Sequence, residues 1–86
     1  MPEISRFFGI IVRMYFDDHP PAHFHAIYSG DEALVGIDPI QVLEGDLPSR
    51  ALSMVIEWAA LHQGELMENW RRLHSSQAAE KIPPLS

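Results

Sequence analysis

The chain reads as an α+β domain, an antiparallel four-stranded β-meander covered on one face by a C-terminal helical segment (two helices or one bent helix). Three observations predict this. Apolar residues alternate with period two over the first half and recur at helical spacing from about residue 48 to residue 75. The alternating runs are separated by short breaks rich in Gly, Pro and Asp, and short connections join antiparallel neighbours. A sheet with one apolar face needs a cover and an amphipathic helix needs a floor, so one layer of each is the economical arrangement.

The first strand is expected over 7–16, with Phe8, Ile10, Val12, Met14 and Phe16 alternating on one buried face. Pro20-Pro21 offers no backbone donors and makes 17–22 a loop. Strands follow over 23–28, with Phe24 and Ala26 facing inward, and 32–37, with Ala33, Val35 and Ile37 inward; Ser29-Gly30-Asp31 turns between them. A short fourth strand covers 40–43. Pro48 suits the first turn of a helix, because a missing N–H costs nothing there. Helical segments are expected over about 48–62 and 64–75, with a kink or break between His62 and Gly64, since a glycine inside a helix costs ~1 kcal/mol against alanine. Pro83-Pro84 leaves 77–86 irregular, with Ile82 and Leu85 able to dock it. The 86 residues make one domain, 1–86.

Composition narrows the function classes. Cysteine is absent, which favours a reducing, cytoplasmic setting and removes thiolate nucleophiles and cysteine-based zinc sites. No apolar run approaches the ~18 residues of a membrane span, and the first residues show no basic-then-apolar secretory signal. Twelve acids against six bases give a net charge of -6, which makes direct nucleic-acid binding unfavourable.

Most of the chemistry-bearing residues lie in Asp17-Asp18-His19-Pro20-Pro21-Ala22-His23-Phe24-His25, with three of the five histidines. Residues two apart on a strand point the same way, so His23 and His25 should emerge together on the back of the sheet. Across the hairpin they should lie beside Tyr15 and Arg13. The candidate cluster is therefore Arg13, Tyr15, Asp17, Asp18, His19, His23 and His25. Three readings compete. His19, His23 and His25 can be metal ligands, with zinc as the candidate ion, because imidazole and carboxylate are its common ligands once cysteine is excluded. Paired histidines can cleave a phosphodiester by acid–base chemistry, with Arg13 and Tyr15 assisting. The plainest reading is structural: aspartates cap turns, prolines stiffen them and histidines pair with aspartates.

Trp58, His62 and Trp70 are interface candidates, although tryptophans at helical spacing also serve as core anchors and His62 can cap a helix junction. Glu57, Glu65, Glu68, Arg71 and Arg72 read as a solvated helix face, and His74 with Ser75-Ser76 as a helix end.

Four stretches carry a resemblance: Met14-Tyr15-Phe16-Asp17-Asp18-His19-Pro20-Pro21; His23-Phe24-His25; Val42-Leu43-Glu44-Gly45 with Leu47-Pro48 and Arg50-Ala51-Leu52; and Glu57-Trp58 with Leu61-His62, Glu65-Leu66 and Asn69-Trp70. In that order they resemble the small bacterial family catalogued as domain of unknown function 4160. The resemblance implies a short stand-alone protein, often encoded beside a protein of the domain of unknown function 2442 type in a toxin–antitoxin-like pair. It implies no activity. Gly64 and Ile27 depart from the pattern.

The leading functional expectation is a protein-binding component of such a two-gene module, with the partner encoded nearby. The alternative is a small metal-dependent hydrolase, RNA among its considered substrates, using the histidine cluster. A self-associating structural protein, with an apolar patch at Ile27, is the third.

Overall fold

The computed structural model describes residues 3–86, so the first two residues of the expected domain lie outside the described residues. Five antiparallel strands form one meander: β1 (Glu3–Phe7), β2 (Ile10–Arg13), β3 (His23–Tyr28), β4 (Asp31–Gly36) and β5 (Val42–Gly45), in spatial order β1-β2-β3-β4-β5. Two helices follow, α1 (Ser49–Leu61) and α2 (Gln63–Leu73). The α+β class stands, but the sheet has five strands rather than four.

The extra strand comes from the expected strand over 7–16, which is a hairpin. Phe8 and Gly9 form a two-residue turn with φ of 50° and 81°, and Phe7 pairs with Ile10. Positive φ at both central residues matches the right-handed twist of the flanking strands. The apolar alternation misleads because Phe8 continues it in sequence while standing 60% exposed in space. Only Ile10, Val12 and Met14 of the five expected inner residues are buried; Phe16, beyond the end of β2, is 72% exposed. In β1 the register shifts between Glu3 and Ser5, and Ile4 and Ser5 are both buried. That bulge breaks the period-two signal.

A second turn with positive φ, Ser29-Gly30, sets β3 against β4 with His25 opposite Leu34 and Ile27 opposite Glu32. β5 lies two residues later than expected, because Gly36 N–H bonds to the Gln41 carbonyl and closes a loop through Asp38-Pro39. The Pro20-Pro21 and Asp38-Pro39 peptide bonds are cis.

The core lies between the sheet and α1. Phe24, Ala26, Ala33 and Val35 meet Val55, Trp58 and Ala59, and the Trp58 ring sits 5.4 Å from Phe7 and 5.8 Å from Phe24. Apolar burial at ~25 cal/mol per Å² drives this contact. The helices separate at one residue, His62 (φ −122°, ψ 25°), and Gly64 falls inside the first turn of α2. Gln63 Nε2–H donates to the Ile37 carbonyl and ties this junction to the far end of β4.

Residues 77–86 have no regular structure, as expected, yet they are firmly held. Ile82 is buried and its N–H donates to the Ile4 carbonyl on the β1 edge. Buried Asn69 exchanges two hydrogen bonds with the Glu80 backbone, and Trp58 Nε1–H donates to the Pro83 carbonyl. The tail thus shields one open sheet edge. β5, at the other edge, has no such cover.

Candidate functional site

Side chains of β3 alternate as period two requires. Phe24 and Ala26 enter the core, while His23 and His25 share the opposite face with their ring centroids 5.4 Å apart. The register places Arg13 directly opposite His25, and the Tyr15 ring meets the His25 ring edge-on at 4.7 Å. The back of the sheet is not fully open at this end, because Trp70 from α2 covers His23 with ring centroids 5.4 Å apart.

Asp18 completes the cluster. The Asp18 N–H reaches back to the Tyr15 carbonyl across a turn, and Asp18 Oδ2 lies 2.9 Å from His25 Nε2 and 3.3 Å from His23 Nε2. The ligand atoms of Asp18, His23 and His25 all lie within 4.8 Å of one another. Their side chains are 21%, 8% and 13% exposed, so the cluster is half-sunk and reached from the Asp18 side.

The other ring nitrogens are occupied. His23 Nδ1 is 2.8 Å from the Pro21 carbonyl oxygen, which can only accept, so Nδ1 carries the proton and donates. His25 Nδ1 is 2.8 Å from Glu32 Oε2, again an acceptor. His23 is thereby held as the Nδ1–H form with Nε2 turned toward Asp18, whereas His25 stands between two carboxylates and donates to Glu32 through Nδ1 or to Asp18 through Nε2. With Nδ1 of both rings engaged outward, both Nε2 atoms are turned to one Asp18 oxygen, the placement in which all three groups can serve as ligands.

The donor set fits a metal. Two imidazoles and one carboxylate with open positions suit a catalytic divalent ion, and outer N–H groups bonded to a carbonyl and a carboxylate are the usual support for ligating histidines. With ligand distances of ~2.1 Å, neighbouring ligand atoms in such a site stand about 3.0–3.4 Å apart. Of the two contacts to Asp18 Oδ2, that of His23 at 3.3 Å lies in this range and that of His25 at 2.9 Å falls just below it.

The remaining candidates are placed elsewhere. Of the expected metal ligands His19, His23 and His25, the structure brings His23 and His25 together with Asp18, while His19 and Asp17 are exposed and outside the converging set. Trp58 is fully buried in the core and presents no interface; His62 bonds Glu65 at 2.6 Å across the helix junction. Two residues escaped the sequence reading. Glu32 lies diagonally across the hairpin from His25, a relation visible only once the Ser29-Gly30 turn fixes the register. His74, at the end of α2, contacts the Asp18 carbonyl through Nε2 and the Trp70 carbonyl through Nδ1, both at 2.8 Å. Both contacts are hydrogen bonds only for the doubly protonated ring, and these two acceptors, Asp18 first, raise the His74 pKa.

Fold and site together describe a small α+β domain in which, among the described residues, one polar cluster with ligand-type geometry is built on a β-hairpin and its loop. A family model for a domain of unknown function (DUF4160) matches residues 9–71, and the chain belongs to that family. The match contains the whole cluster, both helices except the last residues of α2, and four of the five strands. Comparison with curated proteins and with solved structures finds no match. Among the described residues no helix is long and apolar enough to cross a membrane.

Proposed function

We propose that the protein is a small metal-dependent hydrolase centred on Asp18, His23 and His25, with zinc as the ion best suited to the donor set. The observation that carries this reading is the convergence of two imidazole Nε2 atoms and one carboxylate oxygen while both Nδ1 atoms already have outer acceptors, the Pro21 carbonyl and Glu32. A divalent ion held there supplies Lewis acidity and a water acidified toward neutral pH. His23 and His25 would hold the ion through Nε2, with Pro21 and Glu32 accepting from the outer Nδ1–H groups, and Trp70 covers His23. Asp18 supplies the anionic oxygen. Its other oxygen makes no hydrogen bond among the described residues and is free to take a proton from water. Elemental analysis of untagged protein tests the reading. One equivalent of zinc is expected in the purified protein, and its loss in Asp18→Ala. Protein that neither carries nor takes up a divalent ion contradicts it.

A specific feature favours a second reading, the protein-binding half of a two-gene pair. β5 leaves one edge of the sheet unpaired, Val42 and Leu43 are each 38% exposed there, and Glu44 and Asp46 give the edge a negative charge. Such an edge accepts an added basic strand. Co-expression with the product of an adjacent gene and size-exclusion chromatography tests it; independent elution of the two proteins counts against it.

A further inference from the structure

We propose that Arg13 and the Asp18–His23–His25 centre together form a subsite for the phosphoryl group of a small phosphate ester. This rests on the reading of that centre as a divalent-metal site and names its substrate class.

Arg13 stands on the same sheet face as His25 and directly opposite it across the β2–β3 pairing, the closest relation that two strands allow. Its Nε is shut off from solvent and has no hydrogen-bond partner, so packing rather than an acceptor fixes the stem. No hydrogen bond or ion pair among the described residues engages the rest of the guanidinium. The reason is visible on the strand at its other side. Glu3, the register partner of Arg13 in β1, gives both carboxylate oxygens to Arg6, at 2.9 and 3.2 Å. Arg71 and Arg72 likewise have acceptors of their own, Glu68 and the Ala78 carbonyl, and Arg50 is exposed at the start of α1. Among the described residues Arg13 is a half-buried guanidinium with no hydrogen-bonded or ion-paired acceptor, and its register partner Glu3, although it feels the Arg13 charge, is committed to Arg6.

The charges decide what completes it. Asp18 and Glu32 balance a divalent ion, the imidazoles are neutral in the liganding form, and Arg13 leaves one positive charge over. A site with that surplus, an open coordination position and a planar fork of N–H donors selects a tetrahedral oxyanion that bridges the two. The net charge of -6 repels a long polyanion, which limits the ligand to a small ester rather than a nucleic-acid strand. In the hydrolysis this implies, the oxygen of water forms a new bond to phosphorus and the ester P–O bond breaks. One water proton leaves with the alcohol, so no oxidant or co-reactant is required.

The test uses the full chain loaded with zinc, with inorganic phosphate as the probe. Metal content is read first, in the unsubstituted protein, in Arg13→Gln and in Arg13→Lys, the last keeping the charge while losing the fork. All three are expected to hold one equivalent of zinc. Calorimetric titration with phosphate should then show binding to the unsubstituted protein, weakened about tenfold or more in Arg13→Gln and partly retained in Arg13→Lys. p-Nitrophenyl phosphate should be hydrolysed in the same order. If no form takes up zinc, the metal reading falls and this proposal with it. If zinc binds but phosphate does not, or binds equally to all three, only the phosphoryl subsite is overturned.

Discussion

At the scale of single residues, the site depends on which atom each ring nitrogen faces. Glu32 touches no ligand position, yet it is the acceptor that His25 Nδ1 needs when Nε2 serves as a ligand. Outer carboxylates of this kind are typically worth 10–100-fold in metal affinity, so Glu32→Gln is expected to weaken zinc binding by about that factor, while His19→Ala leaves it unchanged. Competition with a chromophoric chelator measures both; a full effect from His19 would move the site back into the loop. His74 makes a separate, pH-dependent contribution. Its folded pKa is raised above the ordinary value of about 6.5 by the Asp18 and Trp70 carbonyls, so the folded state binds the proton more tightly than the unfolded state. The stability it adds is fully present below about pH 6.5 and is lost as the pH rises through the raised folded value. Urea midpoints measured across that range should fall more with rising pH in the unsubstituted protein than in His74→Gln; parallel profiles would show that the contact contributes nothing.

At the scale of elements, turn chemistry decided what was legible. The pairing of His23 with His25 on one face follows from period two alone and could be read without a structure. Asp18 could not be separated from Asp17 and His19, because a loop has no period to say which side chain turns inward. β1 was invisible because Phe8 carries the apolar alternation straight through a turn and because the bulge at Ile4 and Ser5 interrupts the pattern in the four residues before it. The decisive signal was Gly9, read as one more strand residue but held at φ 81° in a two-residue turn. A Cβ there would lie 3.3 Å from the Tyr28 ring in a conformation that L residues seldom adopt. Gly9→Ala is therefore expected to destabilise the domain by about 1–2 kcal/mol in chemical denaturation. A change within a few tenths of a kcal/mol would mean that the β1–β2 hairpin is not the structural unit described. The helix break expected between His62 and Gly64 falls at His62, within that span.

At the scale of the whole molecule, the tail, the sheet and the second helix meet around a small core. An 86-residue chain buries only about 60% of its unfolded surface, so its stability margin is thin and every docked segment matters. The tail seals the β1 edge, and α2 carries Trp70 over His23 and His74 onto the Asp18 loop. Both helices therefore serve the site as well as the core, one holding the strands from beneath and the other closing the end of the hairpin. A divalent ion held where the two imidazole nitrogens face the Asp18 carboxylate is the central proposal. The most direct measurement is zinc stoichiometry with thermal unfolding, comparing unsubstituted protein with His25→Ala. One equivalent of tightly held zinc, a melting temperature several degrees higher with the ion than without it, and loss of both in His25→Ala are the predicted result. A melting temperature indifferent to zinc, with no ion retained, would contradict the account.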